Sequence, residues 1–203
     1  MRYVKVSLAF LYLLMLTACF FMGSGKESIV YRLTSQPLDF KMDSLLKGTL
    51  LVDNLSSRGF VKSRNMVFWN SKMPRETQQY NYHSWVEPPA LLVRDILAQT
   101  LRMAGVSDHV ITSNRRAKAD YILSGTLLRM EQCLEPDNYY VLIEMELAIV
   151  QYRSREVLFV KRYSIRESVA NNQIPAAVHG FELALANLIS DFLRDLVQRF
   201  AEK

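Results

Sequence analysis

The chain has 203 residues, half of them hydrophobic, with 25 Lys and Arg against 20 Asp and Glu and a net charge of +5. That length supports one domain with its own core, and the basic residues are shared out evenly enough to argue against a nucleic-acid surface. Cys19 and Cys133 are the only cysteines, too few for a disulfide framework.

The N-terminus has the three parts of a secretory signal: Arg2 and Lys5, the apolar run Val6 to Met15, and the small residues Thr17 and Ala18. One alternative is a single transmembrane anchor, because Val6 to Met22 is uncharged and about 17 residues long, the short limit for a span. Another is ordinary cleavage after Gly25, since Leu16 is a poor residue three positions before Cys19.

The run Leu16, Thr17, Ala18, Cys19 resembles the lipobox of bacterial lipoproteins. The resemblance implies that signal peptidase recognises Leu16, Thr17 and Ala18 and cuts before Cys19. The Cys19 sulfur then receives a diacylglycerol group and the new amino terminus an N-acyl chain such as palmitate. Two or more chains anchor stably where one, at roughly 0.8 kcal/mol per buried methylene, holds only marginally. Phe20, in place of an acidic residue, implies sorting to the outer membrane with the domain facing the periplasm. The expected organisation is a leader over 1–18, a lipidated tether over 19–28 and a single periplasmic domain over 29–203. Loss of the leader leaves 185 residues, 23 of them basic and 20 acidic. Acylation of Cys19 leaves Cys133 without a partner in the chain, and it is expected to be a small apolar strand residue.

Gly25, Lys26, Glu27, Ser28 fails as a phosphate loop, since neither Ser nor Thr follows the lysine. Strands are expected over Ile29 to Leu33, Leu45 to Val52 and Val61 to Trp69, with Arg64 solvated in the last. Met73 to Tyr82 is polar and reads as turns. Pro88 to Ala104 is predicted helical: proline is tolerated in the first turn, Val93, Ile96, Leu97, Leu101 and Ala104 share a face, and Gly105 stops it. Arg94, Asp95, Gln99 and Arg102 are expected to face away, and Trp85 to pack the start of the helix onto the sheet.

A short strand Val110 to Thr112 and a basic loop with Arg115, Arg116 and Lys118 follow. Asp120 to Cys133, Tyr139 to Tyr152 and Val157 to Val169 then read as a three-strand meander, with Gly125 as a bulge. In the middle strand Val141, Ile143, Met145, Leu147 and Ile149 alternate with Glu144 and Glu146, the period of a half-buried antiparallel strand. The two glutamates are expected on a solvated face. Ile174 to Glu202 is a long amphipathic helix, with Val178, Phe181, Leu185, Leu188, Phe192, Leu196 and Phe200 on its stripe. The expected fold is α+β, a two-layer sandwich with a mostly antiparallel or mixed sheet of about seven strands and two main helices on one face.

His83, His109 and His179 are scattered, and HExxH, GxSxG and GxGxxG are absent. The expectation is therefore no enzyme, no catalytic or metal-binding residue, and no cofactor beyond the covalent lipid.

Over roughly residues 29 to 200 the chain resembles the ABC-type transport auxiliary lipoprotein component family, which includes the paraquat-inducible protein C lipoproteins. The resemblance is carried by Tyr31 and Leu33, by Arg64, Met66 and Val67, by Tyr80, Trp85 and Pro88, and by Ala119, Asp120 and Tyr121. It implies a non-catalytic accessory or docking role in moving lipid between two membranes. The partners it implies are an MCE-domain protein and inner-membrane ABC permease components. Some members form rings, so the resemblance leaves a homo-oligomer open, and the even spread of charge leads to the expectation of no nucleic-acid partner. The alternative is a structural lipoprotein assisting assembly of another envelope machine, of the lipopolysaccharide export or secretion type.

Overall fold

The computed structural model describes residues 27–38, 40–42, 44–113 and 118–200. Leu16, Thr17, Ala18, Cys19, most of the tether, Arg115, Arg116 and Glu202 lie outside them.

The longest strand, β7 (Tyr121–Glu135), is the spine of a mixed sheet. Along one edge it pairs antiparallel with β8 (Asn138–Gln151) over its whole length. β8 in turn pairs antiparallel with β9 (Val157–Ser168). Short loops make this meander possible: only Pro136 and Asp137 separate β7 from β8, with Asp137 at φ 56°, and aspartate tolerates the left-handed region.

The other edge of β7 is shared by three parallel partners. β2 (Leu46–Val52) lies opposite Tyr121 to Leu123 and β3 (Ser56–Ser57) opposite Thr126 and Leu127. β4 (Asn65–Asn70) lies opposite Glu131 to Leu134. β6 (Ser107–Thr112) extends the sheet outside β2. β5 (Thr77–Trp85) and then β1 (Ile29–Tyr31) extend it outside β4. A 3-10 turn, Gly59–Lys62, lies between β3 and β4 in the chain.

Nine strands are present among the described residues, against the seven expected, because β3 and β5 were not legible as strands. β5 is the instructive case. Its residues Thr77 to Tyr82 are mostly polar and none is fully buried, so no hydrophobic alternation marks them. Pairing of Thr77 to Gln79 with β4 makes them a strand instead, and β1 pairs with the end of β5, His83 to Trp85. The sheet is mixed, as expected: five strand pairings are parallel and three antiparallel, the two longest being antiparallel. The bulge in β7 falls between Leu127 and Arg129, not at Gly125.

Both helices, α1 (Pro89–Ala104) and α2 (Ile174–Phe200), bury their apolar stripes in one cluster with the inward side chains of the sheet. Val141, Ile143, Met145, Leu147 and Ile149 are all fully buried under them, as their alternation requires. Trp85 stands edge-on to Phe181 of α2 at 5.6 Å and is 1% exposed. It locks the start of α1 to the second helix. Gly105 ends α1 at φ 73°, and a Cβ there would stand 2.7 Å from the Met42 carbonyl oxygen, so only glycine fits.

Arg94 departs from the expected solvated position. It is 7% exposed, its guanidinium bonded to Asn54 in the loop after β2 and to Asp95. A chain segment distant in sequence covers that flank of α1, which periodicity within the helix does not register. The segment between β1 and β2 straps the helical layer. The Thr34 amide and Gln36 side chain both donate to the Glu182 carboxylate, and the Met42 amide to the Ala104 carbonyl.

Candidate functional site

The helices occupy one face of the sheet, and the other face is the larger candidate surface. Even-numbered residues of β8 and β9 point to it. Arg162 pairs with Glu144 at 2.8 Å, and Arg166 reaches Glu135 at 3.2 Å while its guanidinium lies 3.4 Å from the centre of the Tyr140 ring. Tyr140 donates to Glu135 at 3.0 Å. That bond first, then Asn138 and Arg166, holds the Glu135 carboxyl below the usual range. Burial, reinforced by Glu135, drives the Tyr140 phenol well up. Glu146 is solvated as expected, while Glu144 is the partner of Arg162.

Cys133 lies beside Tyr140 in the register and is 1% exposed. Burial, then the Glu131 carboxylate, pushes its thiol up to about 11. Since the thiolate is the reactive form, Cys133 is a packing residue, as its strand position suggested.

Next to this patch the outer face is hollowed. The bulge at Leu128, the 3-10 turn and the β4–β5 loop enclose a concavity of about 600 Å³. Its apolar lining includes Phe60, Val67, Trp69, Pro74 and Leu128. The fold decides which side chains serve: in the 3-10 turn Val61 is buried in the core while Phe60 stays 50% exposed. In β4, Met66 joins the core, whereas Val67 and Trp69 are register partners of Glu131 and Cys133 on the outer side. Arg129 neutralises the buried Glu131 at the base, and Arg58 and Arg75 stand exposed on the rim. Val67, Trp69 and Leu128 are expected on strands, but nothing in the sequence marks them as neighbours of Arg58, Phe60 and Arg75. They come from three separate segments, and only the parallel pairing of β4 with β7 brings them together.

The positions that carried the family resemblance do structural work. The Tyr31 hydroxyl and His83 Nδ1 are 3.1 Å apart, and His83 stands edge-on to Tyr80. Tyr80 donates to Gln132 at 2.8 Å, and burial raises its phenol to about 12. Arg64 is exposed, as expected, yet its Nε donates to the Trp85 carbonyl at 3.0 Å. Asp120 accepts from the Thr49 amide and so fixes the start of β7 against β2. His109 is exposed in β6, and His179 lies 3.7 Å from Glu182. Among the described residues no group of three His, Cys, Asp or Glu side chains is arranged to hold a metal ion.

Comparison with known proteins gives the same fold in several solved structures. Protein XCC0632 from Xanthomonas campestris superposes with a TM-score of 0.73 at 16% identity, covering 86% of this chain and 100% of that one. An uncharacterized protein superposes at 0.66 and 12% identity, covering 84% and 99% of the two chains. The hypothetical protein CT253 from Chlamydia trachomatis gives 0.50 at 8% identity, covering 76% and 99%. No curated protein matches the sequence. The family model for the ABC-type transport auxiliary lipoprotein component matches residues 31–191, from β1 to the last turns of α2. With most of the chain inside that match, the protein belongs to the ABC-type transport auxiliary lipoprotein component family.

Proposed function

We propose that this protein is an outer-membrane-anchored periplasmic lipoprotein and a non-catalytic docking component of an ABC/MCE-type system that moves lipid between membranes. The observation that carries this reading is membership of the transport auxiliary family over residues 31–191. The chain's own residues supply the anchor: Cys19 takes the diacylglycerol and N-acyl chains, and Leu16, Thr17 and Ala18 direct cleavage before it. Ten residues on, β1 begins at Ile29, and a chain of that length reaches at most about 35 Å. The domain therefore works close to the membrane that holds it.

The site geometry supports docking over catalysis. The paired charges of the outer face are engaged with one another, and its cysteine thiol is held protonated by burial. Partners in this reading are an MCE-domain protein and permease components, with the anchor facing the periplasm. Affinity capture of the full-length tagged protein from cross-linked envelopes is expected to recover MCE-domain or ABC permease proteins. Repeated recovery of unrelated envelope proteins in their place would overturn the transport role.

A further inference from the structure

The geometry points to the outer-face concavity as the docking site for an acidic protein segment that carries an apolar or aromatic anchor residue. This deepens the docking role above and rests on it. Two observations fix the chemistry of the occupant. The lining is part apolar and part polar: Phe60, half exposed, and the buried Val67 share it with Trp69, Pro74 and Leu128, beside Arg58, Arg75 and Arg129. Aromatic and arginine side chains around a desolvated floor are the composition of interface hot spots. The rim is positive: among the described residues neither the Arg58 nor the Arg75 guanidinium has a hydrogen-bond or ion-pair partner, while Glu131 is already neutralised by Arg129. Two such cations flanking a hollow with an apolar patch complement a carboxylate-bearing segment that also offers an apolar side chain.

The shape favours a protein segment over a lipid chain. Arg58, Phe60, Pro74 and Arg75 are all exposed, so the hollow is open along one side. An acyl chain laid in it would leave much of its length in water and forgo the burial that stabilises it. One or two side chains of a folded or extended partner, by contrast, are covered by the partner's own body.

The test places the photo-cross-linker p-benzoylphenylalanine at position 60 of the full-length lipoprotein in cells, with the exposed Val160 as control position, and sequences the attached segment. Attachment to a segment carrying Asp or Glu beside an apolar residue is expected, with a yield that falls by about tenfold in Arg58→Glu/Arg75→Glu. A parallel binding assay uses full-length protein in phosphatidylcholine nanodiscs. Its probes are two designed peptides that share Leu and Phe positions, one with Glu and one with Lys between them. The Glu peptide is expected to bind the native protein, and the double charge reversal to transfer binding to the Lys peptide. Both substituted arginines are exposed and unpartnered, so unchanged thermal unfolding will show that the variant is folded. A basic segment at position 60, a yield or affinity indifferent to the reversal, or attachment to phospholipid alone would each overturn the proposal. An acidic segment from a protein outside ABC and MCE systems would uphold this site and count against the transport reading. Recovery of MCE or permease proteins with none attached through position 60 would do the reverse.

Discussion

Gln132 is completely buried although its side chain is a polar amide, because both ends are used. Its Oε1 accepts from Tyr80 at 2.8 Å and its Nε2 donates to the Asn172 carbonyl at 3.0 Å, tying β5, β7 and the loop before α2 together. Gln132→Leu leaves the Tyr80 hydroxyl and the Asn172 carbonyl orphaned and is expected to cost about 1–3 kcal/mol. Denaturant melts of single and double variants with Tyr80→Phe will check it, the second substitution costing less once Gln132 is gone. A second linked group joins β9 to α2. Asp195 accepts from Lys161 at 2.8 Å and from Tyr163 at 2.6 Å. Burial works against its charge, yet these two bonds hold its carboxyl below the usual range. A lowered carboxylate stabilises the fold fully above its unfolded value of about 3.9, and that contribution is lost as pH falls through the lower folded value. Asp195→Asn is therefore expected to lower stability by about 1 kcal/mol at pH 7. The gap from the native protein should narrow progressively in urea melts as pH falls below about 3.9.

The contact between α2 and β8 depends on the absence of a side chain. Gly180 sits on the buried stripe of α2, and a Cβ there would lie 2.4 Å from a methyl of Val169 and 3.2 Å from one of Val141. Glycine costs the helix up to about 1 kcal/mol relative to alanine, and the close approach of helix to strand is what it permits. Gly180→Leu is expected to destabilise by about 2 kcal/mol through overpacking, read as a lowered denaturation midpoint with unchanged far-UV circular dichroism of the folded state. On the far side of the sheet, β9 is an edge strand whose Lys161, Arg162 and Arg166 keep it charged. Such charges deter edge-to-edge pairing, and in this strand each is also bonded inward, to Asp195, Glu144 and Glu135 respectively.

At the scale of the molecule, one face of the sheet is covered by the helices, the other is the face the docking proposal uses, and a lipid on Cys19 would fix where the domain stands. If Cys19 carries the anchor, Cys19→Ala will abolish fatty-acid labelling and release the protein from membranes, with the 27–200 fold unaffected by circular dichroism. Labelling that persists in the variant would refute it. Leu33, Leu38, Phe40 and Met42 pack against the core, and the segment they belong to is bonded to both helices, through Glu182 and Ala104.

Much of this was written in the sequence because it depends on local period. The alternation of Val141 to Ile149, the stripe from Val178 to Phe200 and the run Leu16 to Cys19 are each readable from neighbours along the chain. These suffice for an α+β sandwich and for an expected anchor at Cys19. What only the tertiary structure decided depends on pairing between distant segments: the polar strand β5, the burial of Arg94 under Asn54, the bulge at Leu128 and the hollow between Phe60 and Trp69. No periodicity marks such residues, because their environment is supplied by chain many positions away.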